Sequence, residues 1–183
     1  MSAPPPASMG ALYSGTRDLH HACEHHEVGQ RMLAGQVSAQ EWADWLAAFH
    51  VVHLVIDPTL PAHFTRAPLL LADFAALPPP RLPLAAAAYA AGLSAPGDIL
   101  GACYVLHAAH RRGGRAKAQV MRAAGLSSRH IEYDREAEVE IFIRTLRDRA
   151  DLVQPARDAF GAMLATMDEI QARAPHSNTE AGK

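Results

Sequence analysis

A chain of 183 residues, 49% hydrophobic and 20% charged, is long enough to enclose one sizeable core. Its 17 basic and 19 acidic residues leave a formal net charge of -2, which excludes a general electrostatic pull toward nucleic acid or an anionic membrane surface. Two cysteines, Cys23 and Cys103, with no C-x-x-C, are too few for a disulfide framework or a thiolate zinc site. No apolar run reaches about 18 residues, and no basic flank precedes an apolar stretch at the N-terminus. The expectation is a soluble cytoplasmic protein.

Residues 1–9, MSAPPPASM, read as a disordered leader, and residues 173–183 as a disordered tail. Between them, residues 10–172 form one domain. Alanine and leucine dominate it, while valine and isoleucine are scattered rather than alternating, so the expected class is all-α. A first helix is expected over residues 12–33, ending near Gly35. Ser38 followed by Glu41 is a capping box that opens a second helix running to about Asp57. Trp42, Trp45, Leu46, Phe49, Val52 and Ile56 trace its apolar stripe, and Pro58 and Pro61 stop it.

Prolines recur from residue 58 to 83, with PPPRLP at 78–83 the clearest break, and short helices fit at 68–76 and 84–92. A long helix is then expected over residues 96–124 with Gly113 and Gly114 in its middle. Each such glycine costs roughly 1 kcal/mol relative to alanine. The pair therefore implies a kink, or a backbone that something flat approaches closely. Helices at 135–150 and 154–173 complete the chain, which has no internal repeat.

The histidines carry the chemistry. LHHACEHHEV, residues 19–28, holds four of the eleven. On a helix His21 and His25 share a face at i, i+4, and Glu24 shares the face of His20, so the stretch makes pairs rather than one cluster. His50 and His53 stand at i, i+3 with Asp57 one turn after His53. His107 and His110 repeat the i, i+3 spacing. Imidazoles and a carboxylate on consecutive turns can converge on one ion. The plainer alternative for each is a half-buried, hydrogen-bonded or solvated histidine, above all for His25 and His26. Phosphate-loop and nucleophile-elbow patterns are absent. RRGGRAK at 111–117 and the cluster Arg144, Arg147 and Arg149 suit a solvated helix face or a carboxylate or phosphate partner.

Leu12-Tyr-Ser-Gly-Thr-Arg-Asp-Leu-His20 resembles the opening of heme oxygenases, in which a first-helix L-x-x-x-T-[KR]-x-x-H presents the proximal iron ligand. The linker and capped helix that follow are similar. Gly101-Ala-Cys-Tyr-Val-Leu-His-Ala-Ala-His-Arg-Arg-Gly-Gly114 resembles the distal helix, usually G-x-x-Y-V-x-E-G-S-x-x-G-G, and Pro155-Ala-Arg-Asp-Ala-Phe160 resembles the last helix. The resemblance spans roughly residues 10–172. It implies a single-domain heme oxygenase-like helical bundle with a kinked distal helix. It also implies a heme b cofactor on His20, contacts from Tyr104 and Ala108, a distal wall at Gly113 and Gly114, and propionate partners in Arg144 and Arg147. The implied reaction cleaves heme to biliverdin, carbon monoxide and iron with O2, using electrons from a separate reductase or ferredoxin.

The departures from the pattern open two alternatives. The distal glycine position falls on Ala108, its neighbour on Ala109, and the next glycine on Arg112, so Gly113 and Gly114 match only with a one-residue shift. An Arg112 side chain over the heme face would obstruct it. His107 replaces an acidic residue, and His107 or His110 on the distal side would give a six-coordinate iron. That would suit a non-catalytic heme-binding or heme-sensing protein. The same scaffold also carries non-heme di-metal oxidases, for which His20, His53, Asp57, His107, His110 and Glu24 supply ligand types for non-heme iron.

Overall fold

The computed structural model describes residues 10–111 and 113–174, leaving aside the side chains of residues 111–117. The described residues form an all-α bundle: α1 (Ala11–His25), α2 (Glu27–Leu33), α3 (Ala39–Ile56), α4 (Ala67–Phe74), α5 (Leu84–Gly92), α6 (Pro96–Arg111), α7 (Gly113–Ala123), α8 (Glu136–Leu146) and α9 (Val153–Ala172). None of these helices is long and apolar enough to cross a membrane.

Two local choices fix the front of the bundle. The first expected helix is two, because His26 is extended (φ -63°, ψ 139°) and its Nδ1 accepts from the Val28 amide at 3.2 Å, capping α2. The histidine-rich stretch thus ends one helix and starts another. The capping box forms as the sequence indicates: Ser38 Oγ accepts from the Glu41 amide at 3.2 Å, and Glu41 Oε2 accepts from the Ser38 amide at 2.8 Å. Helix α3 then runs through the centre, buried over most of its circumference from Glu41 to Ile56.

Helix α9 is the axis on which α1, α3, α5 and α6 pack. Two glycines bring neighbours close to its N-terminal end. A Cβ on Gly15 of α1 would lie 2.6 Å from Val153 Cγ1, and one on Gly101 of α6 would lie 2.7 and 2.8 Å from the Pro155 carbonyl carbon and the Ala156 nitrogen. Small residues there let the backbones approach. Side chains distant in sequence complete the framework. Glu169 accepts from the Leu84 and Ala85 amides at 2.8 and 2.7 Å and so caps α5. Fully buried Asp44 accepts from the Arg81 amide at 2.7 Å, tying the proline-rich segment to α3.

The expected helix over 96–124 is helical over Pro96–Arg111 and Gly113–Ala123, the described parts of that span. Arg112, and the surroundings of Gly113 and Gly114, lie outside the described residues. Cys23 and Cys103 are buried and form no disulfide; burial pushes the Cys103 thiol up to about 12.

Candidate functional site

Helices α1 and α6 both pack along α9, yet make little or no contact with each other. The gap between them is a cleft of about 380 Å³. Helix α1 supplies one wall through Tyr13, Thr16, His20, Cys23 and Glu24, a stripe at helical spacing. Tyr104, Val105, Ala108 and Ala109 of α6 form the facing wall, and Phe160, Met163 and Met167 of α9 form the floor. Gly29 and Leu33 of α2 close one side.

His20 is the imidazole in this cleft. Its side chain is 49% exposed, Nδ1 lies 3.5 Å from Glu24 Oε2, and its ring meets Phe160 edge to face at 5.9 Å. The pair is an exposed contact on one helix face; a proton on Nδ1 would face the carboxylate and leave the lone pair on Nε2. The facing wall offers two alanine methyls and no imidazole. Beside the cleft is an open polar concavity that shares Tyr13, His20 and Glu24 with it and adds Arg17, Asp18 and His21.

The structure separates His107 and His110 from this cleft, correcting the expectation of a distal ligand. On α6 they lie roughly 130–170° around the helix from the centre of the 104–109 wall. They join a buried polar hub on the far side. There His53 Nδ1 donates to Asp57 Oδ1 at 2.8 Å, and the Nε2 atoms of His53 and His110 lie 3.2 Å apart. His107 Nδ1 is 2.7 Å from the Tyr133 hydroxyl, while its Nε2 is buried without a hydrogen-bond partner. Asp57 Oδ2 also accepts from the Arg66 and Ala67 amides at 2.8 and 2.7 Å. A second carboxylate, Asp73, accepts from His130 Nδ1 at 2.7 Å and from the Arg129 and His130 amides at 3.0 and 2.9 Å.

Burial governs the charges in the hub. It depresses His53, His107 and His110, disfavouring their charged forms. Burial alone would raise Asp57, but the bond and charge of His53 and two amides hold its carboxyl below the usual range. These side chains therefore engage one another. Among the described residues, no three His, Cys, Asp or Glu converge so as to hold a metal ion. Glu24 lies in the cleft, across α6 from the hub.

The remaining expected residues divide. Tyr104 and Ala108 line the cleft with His20. Arg144 and Arg147 do not line it, a second correction: Arg144 is exposed on α8, and Arg147 packs on Gly10, its carbonyl accepting from the Leu12 amide at 3.0 Å. The reason is that α8 ends beside the start of α1 rather than over its His20 face. Gly113 and Gly114, expected at the distal wall, fall outside the described surroundings. Sequence reasoning missed the floor, although Phe160, Met163 and Met167 carry the 3–4 spacing of a buried helix face. It also missed Arg17, one turn before His20.

No family model matches the chain, and no curated protein is similar to it in sequence. Among solved structures, it is similar to heme oxygenase-1 from the cyanobacterium Synechocystis sp., crystallised in complex with heme. The identity is 16%, over 88% of this chain and 90% of that one, with a TM-score of 0.75. The chain has the all-α heme oxygenase-like fold.

Proposed function

We propose that the cleft between α1 and α6 binds heme with His20 as its axial ligand, and that the protein is a heme oxygenase-type enzyme releasing biliverdin, carbon monoxide and iron. One observation carries this reading: among the described residues, one imidazole, with a carboxylate beside it, faces Val105, Ala108 and Ala109 across an apolar cleft. The donor set suits heme, which needs one axial nitrogen and apolar walls for its macrocycle. Heme is both the group that activates O2 and the molecule oxidised, with electrons from a separate reductase or ferredoxin.

The chain's own residues bind and orient. His20 Nε2 would supply the ligand, with Glu24 beside Nδ1 as the acceptor that would favour this tautomer. With heme held in the cleft, Ala108 and Ala109 would keep the wall facing His20 free of bulky side chains at those two positions. Arg17, which with Arg157 lines the polar shoulder shared by Tyr13 and His20, would meet propionates, in the role first expected of Arg144 and Arg147. Met163, Met167 and Phe160 exclude water from below.

The alternatives part from this reading at particular residues. A six-coordinate carrier needs His107 or His110 in the cleft, and both are turned away. A di-metal oxidase needs converging histidines and carboxylates, which the described residues do not provide. The test is to load the protein with one equivalent of hemin and reduce it in air with ascorbate or a ferredoxin system. Pigment and gas are then analysed. Biliverdin with one carbon monoxide per heme is expected; heme recovered intact would overturn the enzymatic reading.

A further inference from the structure

Two of the four histidines in residues 19–28 are engaged. His20 lines the cleft beside Glu24. His26 caps α2 with Nδ1, and its Nε2 lies 3.1 Å from Asp168 Oδ1. His21 and His25 remain, both exposed, on the outer face of α1, with ring centroids 3.9 Å apart.

The bond that His25 makes is informative. Its Nδ1–H donates to the His21 carbonyl oxygen at 2.9 Å, an acceptor that cannot donate in return. The proton is therefore on Nδ1, and Nε2 carries the lone pair. Histidines that ligate metals typically have their second nitrogen held in this way by a carbonyl or carboxylate. Spacing of i, i+4 is also that of two-histidine metal-binding helices. His21 borders the polar concavity with Glu24, so a cation there meets a carboxylate nearby and open water for its remaining positions.

We propose that His21 and His25 form a surface site for one divalent transition-metal ion, of the imidazole-preferring class that includes Zn2+ and Ni2+. The ion would take Nε2 of His25 and a ring nitrogen of His21, with waters completing the shell. It would pin the last turn of α1, the turn that carries Glu24 beside the cleft. The site stands on these two side chains alone and does not depend on heme.

The test is calorimetric titration of the tag-free apoprotein with Zn2+ near neutral pH. Saturable one-to-one binding is expected. His21→Gln and His25→Gln should each weaken it by about tenfold or more. His20→Ala, which leaves the pair intact, should change it by less than about twofold, and because both pair residues are exposed, matched thermal melts will establish that each variant is folded. Absence of saturable binding, unchanged binding in His25→Gln, or loss in His20→Ala would each overturn the proposal.

Discussion

The crossing of α6 on α9 positions both the facing wall and the floor of the cleft, and Gly101 sits where the α6 backbone comes close to that of α9. Replacing Gly101 with alanine adds one methyl that would lie 2.7 and 2.8 Å from the Pro155 carbonyl carbon and the Ala156 nitrogen. Those are backbone atoms of a neighbouring helix and cannot rotate aside. Helix propensity favours alanine by about 1 kcal/mol. Overpacking of this kind costs about 3 kcal/mol at the upper end of its usual range. The net expectation is a loss of about 2 kcal/mol, or roughly 4–8 °C in Tm for a domain of this length. Gly161, exposed on α9, is the matched control, because a methyl added there would have no atom within 4 Å. At that position the propensity gain stands alone, and Gly161→Ala should raise Tm by about 1–4 °C. Thermal unfolding followed by circular dichroism reads both. Equal rises in the two variants would refute the idea that Gly101 is required by close helix contact.

The buried histidines make stability depend on pH. His53, His107 and His110 have folded-state values below the ordinary 6.5, so below that pH the unfolded chain takes up protons that the native protein refuses. Their contribution is present above pH 6.5 and lost as the pH falls, by up to about 1.4 kcal/mol per pH unit for each histidine. Urea unfolding between pH 5 and 8 should show this slope above the range where Asp57 and Asp73 protonate, and His110→Leu should reduce it. Asp73→Ala strands the amides of Arg129 and His130 and the His130 ring, and should cost about 3 kcal/mol or more in urea unfolding. Ala108→Phe places a ring in the cleft and should weaken hemin binding at least about tenfold while the protein still melts cooperatively, as read by absorbance titration and calorimetry.

Much of the fold was legible because it is locally encoded. The Ser38–Glu41 capping box, the apolar stripe from Trp42 to Ile56 and the proline stops specify α3 within a few residues. That His20, Tyr104 and Ala108 come together in one cleft was likewise legible from spacing and resemblance. What was not legible depends on long-range partners. His26 breaks the first helix through a side-chain cap that a helical pattern cannot reveal. His107 and His110 have the right spacing for a site but the wrong phase relative to Tyr104 and Ala108, and only the packing of α3 and the Tyr133 segment against α6 shows which face is which. The Arg144 and Arg147 expectation failed for the same reason, since position in the penultimate helix says nothing about where that helix ends.

The proposed heme site rests on His20 as the residue that would ligate the iron between α1 and α6. Titration of the purified protein with hemin, beside His20→Ala, tests it most directly. A saturable one-to-one Soret band with a high-spin spectrum is expected, since among the described residues no second histidine lines the cleft, together with loss or a marked shift of that band in the variant. A low-spin bis-histidine spectrum, a variant identical to the wild type, or no saturable Soret change at all would contradict it.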